Sequence, residues 1–351
     1  MKVESAVVKK SVRIESLATA KNKLPAAELM ELYSQMLRVR RFEEAAFQAY
    51  QKGSIVGFCH LYIGQEAVCV GAISCLKKGD KVLTAYRDHG HALTMGMSMD
   101  SLMAELFGKA TGCSKGKGGS MHFFSEQHGM LGGNGIVGSH VPVATGVAFA
   151  QKYKGDGGVT VVFFGDGAAQ QGAIHEAMNL AGLWRLPVVF VVENNMYGMG
   201  TAIERSSATT DLHKRAAAYN FPGMVCNGMD LADVRDKFQA AVDLARETNS
   251  PTFIEAKTYR YRGHSMSDPA LYRTAEEVEA YKHQDPILIT KAELIKLGVA
   301  EAKIEELDKA AKAESKACVE FATNSPEPEL SELATDVYAR PWGENLLPKI
   351  G

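Results

Sequence analysis

Two stretches of this chain are almost continuously apolar and β-branched: VTVVFF at 159–164 and LPVVFVV at 186–192. Strands with this pattern are buried on both faces, as in parallel sheets. Between them lies a run with helical character, so the pattern predicts a strand–helix–strand unit with parallel strands. KVLTAY (81–86) and PTFIEAKTY (251–259) read as further strands. Apolar residues at Leu29, Leu32, Met36, Leu37, Phe42, Ala46 and Phe47 recur with helical spacing, predicting a helix from Ala26 to about Lys52. A second helix is expected over Gly64–Leu76. MDSLMAELFG (99–108) is a third, with Ser98 placed to cap it, and DVRDKFQAAVDLARE (233–247) a fourth.

The rhythm fails between Gly108 and Gly138, where ten glycines predict long loops. YRYRGHSMSDPALYR, starting at Tyr259, is polar and turn-forming and also reads as a loop. Residues from Ala275 onward are helical and charged, interrupted at NSPEPE. The expected fold is α/β, a mainly parallel sheet with helices on both faces and helical extensions at either end. One domain is expected over 26–335, with tails at 1–25 and 336–351.

Composition narrows the picture little. Apolar residues are 46% and charged residues 23%, and the net charge of −2 argues against nucleic acid or an anionic membrane as partner. Six scattered cysteines without a CxxC pair suit free thiols in a reducing compartment, so the expected location is the cytoplasm. No apolar run is long enough to predict a membrane span.

Candidate chemistry sits at the ends of the strand–helix–strand unit. The first strand runs into Gly165-Asp166-Gly167; 26 residues later the second runs into Asn194-Asn195. Parallel neighbours end at one sheet edge, about 4.8 Å apart, and that edge binds ligands in open α/β sheets. A helix beginning near Ala168 would add free N–H groups favouring a phosphate. A carboxylate, an amide oxygen and a phosphate suit Mg²⁺. The plainer alternative is a turn aspartate and an asparagine cap. GDGAAQ has Gln170 where a dinucleotide fingerprint needs glycine, which disfavours an NAD-dependent dehydrogenase. SKGKGGS lacks P-loop spacing.

GDG and NN at this spacing resemble the thiamine diphosphate motif. GFCHLYIGQEA, TAYRDHG, KGKGGSMH, GGNGIVG, ENNMYGMGT and YRYRGHSMSDP extend the likeness over about Ala26–Leu333. Together they resemble the alpha subunits of the decarboxylating component of thiamine diphosphate-dependent 2-oxo acid dehydrogenases. The pyruvate-specific members are favoured over those acting on branched-chain 2-oxo acids or acetoin. A non-catalytic scaffold subunit would be expected to have lost Asp166, Asn195 and His264.

The resemblance implies Mg²⁺ on Asp166, Asn195 and the Tyr197 carbonyl. It puts the diphosphate against Tyr86, Arg87 and the Gly167–Ala168 backbone, and the aminopyrimidine ring against Gly135 and Val137. His60, His89 and His264 become candidate acid–base or charge-stabilising groups; His122 and His128 are weaker ones. Ser265 becomes a candidate phosphosite. It further implies a beta subunit carrying the glutamate that activates the cofactor, an α₂β₂ assembly, and transfer of an acetyl-level fragment to the lipoyl domain of dihydrolipoyl acetyltransferase.

Overall fold

The computed structural model describes residues 24–337. The expected tails fall almost wholly outside that span. Eight strands are present among the described residues: β1 Lys81–Ala85, β2 Met130–Asn134, β3 Thr160–Gly165, β4 Val188–Asn194, β5 Tyr197–Gly198, β6 Thr201–Ala202, β7 Gly223–Asn227 and β8 Thr252–Lys257. Six of them form one sheet in the order β2-β1-β3-β4-β8-β7, and every pairing in it is parallel. β5 and β6 form a separate antiparallel hairpin.

Alternate residues of the central strands feed two cores, as the two-residue period of a strand requires. Val161, Phe163, Val189, Val191 and Ile254 join one apolar cluster with residues of helices Ala26–Gln51, Glu66–Ile73, Met99–Leu106 and Leu231–Thr248. Val162, Phe164, Val188, Phe190 and Phe253 face the other, against helices His140–Lys154 and Gly172–Trp184. Helices therefore cover both faces. No helix among the described residues is long and apolar enough to cross a membrane. All six cysteines are free, and all but Cys113 are buried.

Local chemistry explains the helix ends. Ser98 Oγ accepts the Ser101 N–H at 3.2 Å, the expected cap. Two expectations need correction. No α-helix begins at Ala168: a 3₁₀ turn spans Ala168–Gln170, Gln171 is extended, and the helix starts at Gly172. The glycine-rich segment is not purely loop, since it contains β2 and a 3₁₀ turn at Gly119–Met121.

The glycine-rich segment also has a definite organiser. Glu105 is fully buried, and its carboxylate accepts four backbone N–H groups. Oε2 takes those of Ser114 (2.8 Å) and Gly116 (2.9 Å); Oε1 takes those of Gly118 (2.7 Å) and Gly119 (3.1 Å). The chain wraps this carboxylate as other glycine-rich loops wrap a phosphate. A Cβ at Gly112 would lie 2.2 Å from Glu105 Oε2, so glycine is required there.

Candidate active site

The carboxyl ends of the strands hold most of the candidate residues. Tyr86 and Arg87 follow β1, Gly135 and Val137 follow β2, Asp166 to Ala168 follow β3, and Asn195 and Tyr197 follow β4. β1, β3, β4 and β8 are consecutive in the sheet, so these tips share one edge. The register pairs Gly165 with Glu193, which sets Asp166 beside the Asn194-Asn195 turn.

The two asparagines have separate tasks. Asn194 Nδ2 donates to buried Glu255 at 2.7 Å. Asn195 Nδ2 donates to Gln65 Oε1 at 3.0 Å, which turns its Oδ1 the other way. There Oδ1 meets Arg260 Nη1 at 3.4 Å, and the same nitrogen lies 3.4 Å from the Tyr197 carbonyl. Two of the three expected metal ligands thus converge on one cationic nitrogen. The third, Asp166, is 2% exposed, and its Oδ2 has no hydrogen-bond partner. Burial pushes its carboxyl up to about 6, against the pull of backbone N–H groups and Arg260. No group of three or more His, Cys, Asp or Glu among the described residues could hold a metal. Any ion here would rest on one carboxylate with amide and carbonyl oxygens.

The loop carrying Tyr197 is tightly built. Met196 and Met199, on either side of it, have φ of 76° and 57°, the left-handed region that side-chain-bearing residues seldom adopt. A Cβ on Gly198 would come within 3.1 Å of Gly167 Cα, so the hairpin lies against the Gly165–Gly167 turn. Gly165, by contrast, has open space around it.

Two buried guanidiniums flank this turn. Arg87 donates to the carbonyls of Leu61 (2.6 Å) and His264 (2.8 Å), not to a carboxylate. Burial, then the neighbouring Arg260 charge, lowers it to about 10. Arg260, 1% exposed, donates to Arg262 and Met199 carbonyls and to the Tyr272 hydroxyl. Two neighbouring buried cations satisfied by neutral oxygens make a site for an anion.

His60 and His264 lie together beside Arg87. Their ring centroids are 5.3 Å apart, and Tyr86 packs on both, at 4.5 Å and 5.4 Å. Nδ1 of each is buried without a partner. Burial and then Arg87 push His60 far below its ordinary value and His264 down to about 4, so both rings are neutral near pH 7. Asp268 braces His264 by accepting its backbone N–H at 2.5 Å.

His89 is placed differently. It is wholly buried, with Nδ1 2.9 Å from Glu43 Oε2 and Nε2 2.9 Å from Ser120 Oγ. Burial disfavours its charge, but the Glu43 carboxylate outweighs that and raises its pKa. His122 and His128 bond locally, to the Gly133 carbonyl and to Ser125. Gly135 has no close neighbour to a notional Cβ nearer than 3.5 Å, and Val137 is exposed. Ser265 is 9% exposed, with Oγ 3.0 Å from Ser267 Oγ. Sequence reasoning missed Arg260, Gln65 and Gly198; an arginine set between tyrosines in YRYRG was the one available signal.

Known proteins are similar to this chain over most of its length. Residues 34–331 match the family model described as dehydrogenase E1 component. The chain is 51% identical over 312 residues to the pyruvate dehydrogenase E1 component subunit alpha of Zymomonas mobilis, covering 88% of each chain. It is 50% identical over 310 residues to the protein of that name from Rhizobium meliloti, covering 88% of this chain and 89% of the relative. With that of Porphyra purpurea it shares 45% over 320 residues, covering 89% and 93%. A parallel sheet whose strand tips gather a carboxylate with one unpartnered oxygen, two histidines of lowered pKa and two arginines without carboxylate partners is what the matched segment builds, and the chain belongs to the dehydrogenase E1 component family.

Proposed function

We propose that this chain is the alpha subunit of an acetyl-transferring pyruvate dehydrogenase, using thiamine diphosphate and Mg²⁺ within one cofactor-binding domain at 26–335. The observation that carries the reading is the gathering of Asp166, Asn195 and Tyr197 beside Arg87 and Arg260, in a chain about half identical to named pyruvate dehydrogenase alpha subunits.

The donor set fits the metal. Asp166 offers an unpartnered buried carboxylate oxygen, Asn195 an amide oxygen oriented by Gln65, and Tyr197 a carbonyl, all hard oxygen ligands. Arg260's contacts to Asn195 and Tyr197 are at the long end of hydrogen bonding, so a divalent ion would displace them at little cost. Arg87, Arg260, Tyr86 and the Gly167–Ala168 backbone would hold the diphosphate. Gly135 and Val137 would offer backbone hydrogen bonds to the aminopyrimidine ring.

When bound, thiamine diphosphate supplies the carbon nucleophile and the electron sink for loss of CO₂ from a 2-oxo acid. The chain supplies position and proton control. His60 and His264 are held neutral, so each ring could donate from one nitrogen and accept at the other toward substrate oxygens. Arg87 and Arg260 add to burial in holding both histidines' pKa values down, and an anion held between them would weaken that charge effect.

Membership of the E1 alpha group implies a beta partner and a larger complex; we take the assembly as α₂β₂, serving the lipoyl domain of an acetyltransferase. Apolar side chains left exposed near the site, among them Phe58, Ile136 and Val137, support a covering subunit. The buried free thiols support a reducing compartment, the cytoplasm. Purified chain should release no CO₂ from pyruvate by itself and should do so once co-purified with a beta subunit. Full activity of the lone chain would refute the shared site.

A further inference from the structure

His89 lies behind the site, not in it. Helix Ala26–Gln51 buries Glu43 completely, and both carboxylate oxygens are used: Oε1 accepts the Tyr62 N–H at 2.7 Å and Oε2 faces His89 Nδ1 at 2.9 Å. His89 Nε2 faces Ser120 Oγ at 2.9 Å, and that oxygen accepts the backbone N–H of His60 at 3.1 Å. Ser120 is 4% exposed and sits in the 3₁₀ turn that the Glu105-centred glycine segment delivers. Phe42 and Phe123 pack on the His89 ring, at 5.9 Å edge-on and 5.1 Å stacked.

We propose that Glu43, His89 and Ser120 form a positioning relay that fixes the backbone at His60 and thereby aims the His60 ring against Tyr86 and His264. The inference rests on the reading of His60 as a group that meets substrate. With its Nδ1–H on Glu43, His89 presents Nε2 to the Ser120 hydroxyl, and the Ser120 oxygen keeps a lone pair for His60 N–H in either charge state of His89. His60 itself has no side-chain bond from Nδ1. Its aim therefore depends on its backbone anchor and its ring neighbours. His89 would be a positioning residue, one step removed from the reacting atoms.

The test is a double-mutant cycle in the co-purified alpha–beta enzyme, using Ser120→Ala, Glu43→Gln and His60→Ala, singly and in pairs. Ser120→Ala should lower kcat roughly tenfold, while cofactor affinity and substrate KM change less than about twofold. Ser120→Thr, which keeps the hydroxyl, should restore most of the rate. Glu43→Gln should act in the same direction by presenting an amide N–H to the ring. In the His60→Ala background neither change should slow the enzyme further. Additive losses would overturn the relay and leave the role of His60 standing. A fully active His60→Ala enzyme would overturn both. Loss of kcat only in proportion to loss of thermal stability, with no rescue by threonine, would reduce the relay to packing.

Discussion

Arg260 Nη1 lies 3.4 Å from Asn195 Oδ1, inside the protein and with no carboxylate among its hydrogen bonds. A guanidinium in that position bridges two oxygens that a divalent ion would share, and it offers its remaining charge to an anion. Arg260→Met should therefore leave the fold intact and weaken binding of Mg²⁺–thiamine diphosphate by at least about tenfold, the scale of one lost buried charge contact. Fluorescence titration of the alpha–beta enzyme measures it. Unchanged affinity would remove Arg260 from the anion site.

Asp166→Asn separates binding from stability. The buried carboxylate has an orphaned oxygen, and burial disfavours its charge. The amide removes that charge at nearly constant volume, so folding stability should hold or rise by on the order of 1–2 kcal/mol at pH 7. Cofactor binding in Mg²⁺ should nevertheless be lost. Denaturant unfolding and the same titration, side by side, check both halves.

Glu105→Ala strips four backbone N–H groups of their acceptor. The cost should be about 3 kcal/mol or more, since buried donors without partners lose their full solvation. Glu105→Gln should lie between, because its amide oxygen still serves one pair of donors. Urea unfolding midpoints give the ranking; an alanine variant as stable as wild type would contradict the role of the carboxylate.

The structure also sets a pH dependence. His60 and His264 have pKa values lowered by the fold, through burial and then Arg87. The unfolded chain therefore binds more protons than the folded one below about pH 6.5. Stability contributed by the neutral rings is complete above that pH and is lost as pH falls toward 4. The melting temperature should drop between pH 7 and pH 5, and less so in His60→Gln and His264→Gln variants. Parallel pH profiles for wild type and variants would count against the assignment.

The central strands were legible because β3 and β4 are buried on both faces and must be apolar along their whole length. β2 (MLGGN) and β7 (GMVCN) carry no such run, and their pairing is set by neighbours distant in sequence. The Asp166–Asn195 edge followed from parallel geometry alone. Arg260 read as a loop cation because charge in a turn-rich segment is usually solvated; its burial depends on Asn195, Met199 and Tyr272, which no local pattern brings near it. The shape of the glycine-rich segment was hidden for the same reason, since its organiser lies in the preceding helix. Histidine counting could not separate His89 from His60, because what distinguishes them is the buried Glu43.

The most direct measurement is release of labelled CO₂ from carboxyl-labelled pyruvate by the co-purified alpha–beta enzyme, with Asp166→Ala and Asn195→Ala made in this chain. The wild type should require both thiamine diphosphate and Mg²⁺, and each substitution should abolish the release while assembly persists. Undiminished release by either variant, or by wild-type enzyme stripped of metal and cofactor, would contradict a site built on these two strand tips.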